Sequence, residues 1–456
     1  MTFSTPAMKE NKIIQHANLI ALFAGLVFVA HPVQTEAVTY IVQRATSMAA
    51  LFYVASLCLY VKSRLLQESG SAPGPWKLYY IGSLLTAIAA MFTKQIAITL
   101  PLAILLYEFS FFKNVHWKRL IPLLLTISII PLIMLLPESA QSQHIRGDRP
   151  ADISSIHYFL TQFRVMVTYI RLVFLPLNQN LDYDFSISKS IFEVPTLLGF
   201  LFLAGIIFIA KYLFSKYRLL SFSIFWFFLT LLPESSFFPI KDVIFEHRLY
   251  LPLVGYSMFL VSSVYYLFGQ NTVKTMVKIL TVVIVCNSIL TYQRNKVWEN
   301  EFTLWNDAVG KSPHKARPYT NRGAAYSSMG GFIQAIRDYN KSIEINPDFN
   351  EVAYYNRGNY YSRQNQLTQA IADYNKAINI SPGYLEAYTN RGHAYYQKGD
   401  FNQAISDYSK AIAINPNYAI IYLDRGLAYA KEGNLILAVS DYKRAIAIDP
   451  AYAQAR

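Results

Sequence analysis

Asn390-Arg391-Gly392-His393-Ala394-Tyr395 decides how the last third of the chain is read. Its opening triplet recurs as Asn321-Arg322-Gly323, Asn356-Arg357-Gly358 and, with one change, Asp424-Arg425-Gly426. The interval is 34 residues, except for one interval of 35 that takes up an extra residue within Asp348–Tyr355. Pro313, Pro347, Pro382, Pro416 and Pro450 mark the same period. A fixed period of this length is the signature of stacked supersecondary units, each too small to bury its own apolar face.

The positions inside each unit define a helix pair. Gly323, Gly358, Gly392 and Gly426 sit on the first helix, where the absent side chain lets a neighbour approach. Tyr326, Tyr361, Tyr395 and Tyr429 follow three residues later and fill the gap. Ala335, Ala370, Ala404 and Ala438 are the small residues of the second helix, and Tyr339, Tyr374, Tyr408 and Tyr442 come four later. A proline then ends the pair. Four such units in register fit the tetratricopeptide (TPR) pattern, an all-α solenoid. Trp305, Ala308 and Pro313 match the second half of a preceding unit. Six residues follow Pro450 with no polar capping helix, which implies a chain cut short or an end covered by another chain.

TPR arrays form a concave groove for extended or helical peptide. Asn321, Asn356 and Asn390 share one first-helix position. An asparagine offers a donor and an acceptor, as a peptide amide does. These three resemble the ladder that grips peptide backbone in the array of the intracellular O-linked N-acetylglucosamine transferase. They also read as filler on a common TPR surface. Asp424 breaks the series.

Working toward the N-terminus, the character changes near residue 292. The whole chain of 456 residues is 53% hydrophobic and 15% charged, with a net charge of +13. That apolar content excludes a disordered chain. Residues 1–291 hold 22 basic and 13 acidic side chains, net +9, and residues 292–456 hold 19 and 15, net +4. Cys58 and Cys286 are too few for a disulfide framework or a cysteine metal site, and both read as small buried hydrophobes.

Uncharged apolar blocks occupy Ile13–Ala30, Ala45–Val61, Leu78–Thr93, Gln95–Tyr107, Leu120–Leu136, Val194–Ala210, Leu219–Pro233, Leu249–Val273 and Ile279–Gln293. Nine blocks predict a polytopic membrane domain of about nine spans, the short ones extended by snorkelling Tyr, Trp, Lys and Arg. The organisation expected is therefore a transmembrane domain over 1–291, a connecting helix or half repeat over 292–315 and an array of four repeats over 316–456. The loops carrying Lys9 and Lys12; Lys62, Arg64 and Lys77; Lys113, Lys118 and Arg119; Lys211, Lys216 and Arg218; and Lys274 and Lys278 are the basic set. The positive-inside rule makes them cytoplasmic. Nine crossings then place the array outside the cytoplasm, on an integral protein of the cell (inner) membrane. Much of the excess charge is topology signal, and no nucleic-acid partner is expected.

The opposite loops carry the chemistry. His31-Pro32-Val33-Gln34-Thr35-Glu36-Ala37-Val38 follows the first block, with Arg44 shortly after. Lys94 lies in Thr93-Lys94-Gln95, between two apolar runs with no room for a loop. Glu234-Ser235-Ser236 and Glu246-His247-Arg248-Leu249-Tyr250-Leu251-Pro252 precede the eighth block. Charge at or within a bilayer is costly and marks function by default. The plain readings are structural ion pairs for Glu36 with Arg44 and for Glu246 with Arg248, and a snorkelling anchor for Lys94.

Together with Lys94-Gln95-Ile96-Ala97-Ile98-Thr99-Leu100-Pro101 and the TPRs, these segments resemble bacterial relatives of the transmembrane-and-TPR protein O-mannosyltransferases, of the GT-C class of lipid-donor glycosyltransferases. The resemblance covers essentially the whole chain. It implies a polyprenyl-phosphate sugar as donor and a protein hydroxyl as acceptor. The sequence holds no Walker loop, dinucleotide fingerprint or HExxH site and its histidines are scattered, so no cofactor or metal is expected. Glu36 corresponds to the second acidic site of such enzymes and, with His31, is the candidate catalytic pair. Arg44, Lys94, His247, Arg248 and Glu246 are the candidate donor-phosphate group. The first external acidic loop of the class and its flanking spans have no counterpart after Met1. This implies a fragment, a companion polypeptide or a non-catalytic membrane-anchored TPR scaffold. Asp182 and Asp184 read as a solvated loop. Ile156–Leu175, with Arg164 and Arg171, reads as an amphipathic helix in the outer interface, and a donor role for those arginines stays open.

Overall fold

The computed structural model describes residues 1–8, 12–39, 43–69, 75–135, 153–236, 239–240, 242–269, 272–348 and 350–451. Lys9, one of the basic-loop residues, lies outside them. Among the described residues the chain is all-α, with no strand. It forms two compact units, Met1–Glu299 and Asn300–Arg456.

In the first unit the helices are α1 (Ala17–Ala30), α2 (Thr35–Thr39), α3 (Arg44–Glu68), α4 (Pro75–Thr93), α5 (Leu100–Phe111), α6 (Trp117–Leu125), α7 (Ile129–Met134), α8 (Ser155–Phe174), α9 (Val194–Lys216), α10 (Arg218–Leu231), α11 (Pro252–Val264) and α12 (Val273–Val297). Among the described residues, five segments are long and apolar enough to cross a membrane: Ile13–Ala30, Arg44–Glu68, Val194–Lys216, Pro252–Gly269 and Val273–Val297. Gln95–Phe111 and Arg218–Leu231 are shorter apolar helices. The expected block Leu120–Leu136 is broken into α6, a 3-10 turn and α7, and Pro122 lies inside α6. A proline removes one helical hydrogen bond and crowds the preceding turn, so this block does not form one long rod.

The α10–α11 contact shows how closely these helices pack. A Cβ on Gly255 would stand 2.7 Å from the Ser223 carbonyl oxygen and 2.8 Å from Trp226 Cδ1. The buried Trp226 indole donates to the Leu251 carbonyl at 3.0 Å. Cys58 and Cys286 correct the expectation of burial: both are free and exposed, on helices whose outer faces are apolar. Arg64 and Arg119 also differ from solvated loop cations, since both are buried.

In the second unit α13 (Glu301–Lys311) packs on α14 (Ala316–Ser328), ahead of four helix pairs. These are α14 with α15 (Phe332–Ile345), α16 (Glu351–Arg363) with α17 (Leu367–Ile380), α18 (Leu385–Lys398) with α19 (Phe401–Ile414), and α20 (Ala419–Glu432) with α21 (Leu435–Ile448). The residue facing each repeat glycine is the second-helix tyrosine. A Cβ on Gly392 would meet Tyr408 Cε1 at 2.7 Å. The tyrosine three residues after the glycine, expected in that gap, is only half-buried.

The repeat arginine is explained by a partner that the sequence reading did not single out. Arg322, Arg357, Arg391 and Arg425 each grip an aspartate of the second helix with two donors: Asp338, Asp373, Asp407 and Asp441, at 2.6 to 2.8 Å. The third donor, Nη1, reaches the helix before the pair, at Asn306, Asn340, Asn375 and Ser409. The fork geometry of a guanidinium suits this bidentate grip. The aspartate stands one residue before the repeat tyrosine every time.

Candidate active site

The site is built from three loop segments. His31 caps the 3-10 turn Pro32–Gln34 by accepting from the Val33 amide at 3.3 Å. Thr35 Oγ1 donates to the Pro32 carbonyl at 2.8 Å, and the Gln34 amide donates to the Phe28 carbonyl. This local winding turns Glu36, on α2, into the unit, where it is only 2% exposed. The second segment is the 3-10 turn Glu246–Leu249. It is moored to α8 by Tyr169, whose hydroxyl donates to the Phe245 carbonyl and accepts from the Phe245 amide, both at 3.0 Å. The third is Lys94, an extended single-residue break between α4 and the turn Gln95–Thr99.

Glu36 and His247 join two of the segments. The Glu36 carboxylate meets His247 Nδ1 at 2.7 Å through Oε1 and accepts from the His247 amide at 3.1 Å through Oε2. Burial pushes the Glu36 carboxyl up to about 7, against the amide of His247 and the charges of Arg294 and Lys94. Glu246 is equally buried and is also raised to about 7, by burial first and by the charge of Glu36 besides, with Arg294 opposing. Its oxygens accept from the Asn180 amide at 2.6 Å, the Tyr183 hydroxyl at 2.6 Å and Gln179 Nε2 at 2.9 Å. Two buried carboxyls thus share the field of one arginine.

Beside them runs a cationic line. Lys94 Nζ donates to Thr46 Oγ1 at 2.6 Å and to Gln43 Oε1 at 3.2 Å, and stands 4.0 Å from Glu234. Glu234 lies 3.6 Å from Arg248 on its other side. Burial would raise Glu234, but Lys94 and Arg248 outweigh it and hold its carboxyl below the ordinary value. Arg248 also donates to the carbonyls of Asp242 at 2.9 Å and Val243 at 3.0 Å.

His31 is fully buried, with Nε2 at 2.9 Å from the Val173 carbonyl and its ring edge-on to Tyr256. Both ring nitrogens are engaged by backbone, and burial holds its pKa down at about 4. The imidazole thus ties the loop to the Val173 carbonyl and the Val33 amide. Arg44 starts α3 on the surface and makes no side-chain contact with Glu36. Glu246 bonds the 179–183 loop, so neither carboxylate takes the ion-pair partner expected for it. Asp182 is buried and not solvated. Helix α8 buries Tyr158, Gln162, Val165 and Tyr169 against the site, and its arginines are occupied: Arg164 by Ser186 and Ser188, Arg171 by the Leu177 carbonyl.

Arg294 is the residue that sequence reading missed. It is buried at the end of α12, one position beyond the last apolar block. A charge at the end of a membrane helix was the available signal.

In the array, Asn321 and Asn356 are half-buried on their first helices. Asn390 instead donates to Asn359 Oδ1 at 2.8 Å and Tyr355 hydroxyl at 3.1 Å, and Asp424 takes His393 Nε2 at 2.8 Å.

Comparison with known proteins adds family relationships. A model described as "TPR repeat" matches residues 358–399 and 392–433, and three described as "Tetratricopeptide repeat" match 316–349, 338–372 and 419–452. "Protein O-mannosyl-transferase TMTC3" of Homo sapiens is 24% identical over 367 residues, covering 73% of this chain and 40% of that protein. "Protein O-mannosyl-transferase F38B6.6" of Caenorhabditis elegans is 25% identical over 337 residues, covering 73% of this chain and 47% of its own length. The chain thus spans less than half the length of these relatives. Among solved structures, MamA protein matches 34% of the chain at 25% identity and a TM-score of 0.31, covering 83% of its own chain.

Proposed function

Because the chain is a relative of the TMTC family of protein O-mannosyl-transferases, we propose that it is a glycosyltransferase-like membrane protein. In this reading it moves a sugar from a polyprenyl-phosphate carrier to a hydroxyl of a protein acceptor. Residues 1–291 are the membrane domain, 292–315 the connection and 316–456 the array that recruits the acceptor. The array stands on the outer side of the cell (inner) membrane, opposite the basic loops. The observation that carries the reading is a buried carboxylate, Glu36, held by His247 beside the line Lys94–Glu234–Arg248.

Chemically, Glu36 takes the proton of the acceptor hydroxyl. The freed oxygen bonds the sugar's anomeric carbon. The bond from that carbon to the phosphate oxygen breaks, and its electron pair leaves with the polyprenyl phosphate. Lys94 and Arg248, with Arg44 at the rim, offset the charge gathering on the phosphate, and the buried setting strengthens that effect. His247 orients Glu36, Glu246 holds the 179–183 loop against the site, and His31 fixes the loop that carries Glu36. Asn321 and Asn356 offer amide-matching contacts to a bound peptide, and Asn390 completes the ladder only by giving up Asn359.

A second reading, a membrane-anchored TPR scaffold without chemistry, is favoured by one observation: His247 already occupies both Glu36 oxygens. The test is sugar transfer in membranes holding the full chain, a polyprenyl-phosphate mannose and a serine- or threonine-bearing acceptor peptide. Transfer by the wild type that is lost in Glu36→Gln supports the enzyme. Equal transfer by both sinks the role of Glu36. Peptide capture with transfer no greater than in membranes lacking the chain establishes the scaffold.

A further inference from the structure

We propose that Arg64 and Arg119 form a second anion site, built for a phosphate group, at the end of the helical unit opposite the Glu36 site. Arg64 lies 20 residues beyond Arg44 on the continuous helix α3. At about 1.5 Å per residue that is roughly 30 Å, the thickness of a bilayer's hydrocarbon core. The two charged groups therefore mark opposite faces of one membrane.

Arg64 is fully buried. Its Nε meets Glu108 Oε1 at 2.6 Å, and Nη2 reaches Glu108 Oε2 at 3.4 Å and the Asn114 carbonyl at 3.1 Å. Tyr60 also donates to Glu108 Oε1 at 2.6 Å. Glu108 thus accepts from both Tyr60 and Arg64, while Arg64 Nη1 has no hydrogen-bond partner among the described residues. Glu68, partly exposed, is 3.5 Å from Nη2.

Arg119 is 9% exposed. Its guanidinium lies 4.0 Å above the Trp76 ring and 6.0 Å from the Tyr80 ring. Tyr80 donates to the Arg119 carbonyl at 2.8 Å, and Ser63, next to Arg64, donates to the Trp76 carbonyl at 2.8 Å. These bonds bring the two arginines to one place. Among the described residues Arg119 has no carboxylate within ion-pair distance, and its Nη1 has no hydrogen-bond partner. A buried, uncompensated guanidinium is costly unless something anionic completes it.

A third feature points the same way. Arg119 is in the first turn of α6, whose N-cap residue His116 makes no side-chain cap. Uncapped amides and a positive helix end attract anions. Two free guanidinium donors beside that helix end suit the tetrahedral oxygens of a phosphate. The exposed Trp117 and the flanking Lys77 and Lys118 suit an interfacial position, where the phosphate of an anionic lipid headgroup would lie. A soluble phosphate carries the same recognising chemistry.

The experiment is thermal unfolding of the full chain in detergent, with phosphatidylglycerol against phosphatidylcholine in one arm and inorganic phosphate against chloride at equal ionic strength in the other. An upward shift of Tm with phosphatidylglycerol alone assigns a lipid headgroup, and a shift with inorganic phosphate assigns a soluble anion. In either case Arg119→Met abolishes the shift. Arg119→Lys keeps the charge, loses the fork and raises the half-saturating concentration about tenfold; it decides the matter where Arg119→Met does not accumulate. No shift in the wild type, or the same shift and half-saturation in every variant that folds, overturns the proposal.

Discussion

Glu36 and His247 are 211 residues apart in sequence and bind each other twice, through the imidazole and through the backbone amide. One carboxylate therefore fixes both the side chain and the main chain of its partner. Glu36→Gln keeps shape and one acceptor but cannot take a proton, so transfer is expected to fall by about a hundredfold to ten-thousandfold while the protein still folds. His247→Ala leaves a buried carboxyl short of a partner and should cost about 1–3 kcal/mol. Transfer assays and thermal unfolding of the full chain read these two effects separately.

The raised carboxyls predict a pH dependence of activity. A base at Glu36 works only when ionised, so transfer should rise with pH through about 7. Glu246 interacts with it, so the limb belongs to the pair. A transfer rate flat from pH 6 to 8 at saturating substrate, on the order of one unit either side of that value, is incompatible with this assignment.

Stability should move in the opposite direction. Glu36 and Glu246 bind protons more tightly folded than unfolded. Their contribution is complete below about 4.5 and is lost as pH rises to about 7. His31, held at about 4 against an ordinary 6.5, contributes above 6.5 and loses that as pH falls toward 4. Glu36→Gln should therefore flatten the fall in Tm between those carboxyl limits, which unfolding curves at several pH values will show.

The array offers a steric test. A Cβ at Gly392 would stand 2.7 Å from Tyr408 Cε1 and 3.0 Å from Cδ1. Gly392→Ala should destabilise the array by about 1–3 kcal/mol through overpacking. Trimming the ring in Gly392→Ala/Tyr408→Leu should recover part of the loss. Limited proteolysis of the array in the full chain measures both.

The asparagine series divides by what each residue touches. Asn356→Ala should weaken binding of an acceptor peptide without altering protease resistance of the array. Asn390→Ala should change both, because Asn390 also ties α18 to Asn359 and Tyr355 of α16. Peptide titration beside proteolysis distinguishes the two.

The solenoid was legible because its information is local. Glycine, alanine and tyrosine recur at spacings that a helix pair alone imposes, and the family models match the same stretch. The aspartate clamp recurred just as regularly, but its meaning needed the partner arginine sixteen residues away. In the membrane unit the charged loops were visible as charged loops, while their pairings were not. Glu36 meets His247 and Glu246 meets Tyr183 because the chain returns over distances that carry no pattern. His31 was singled out by its type, yet only the fold shows its ring bonded to Val173. Arg294 escaped because hydropathy ended the last block one residue before it. The apolar blocks marked where helices form. Prolines and one-residue breaks such as Lys94 then set how long each helix runs.

The arginine clamps give the array a definite mechanics of failure. Each holds its own helix pair through aspartate, and one further hydrogen bond goes to the helix before it. The array therefore behaves as a row of coupled units with nearest-neighbour terms only. A lesion at Arg425 should release one pair and leave the others to melt together. A lesion at Arg391 should cut the row between its second and third pairs and divide a single cooperative transition into two.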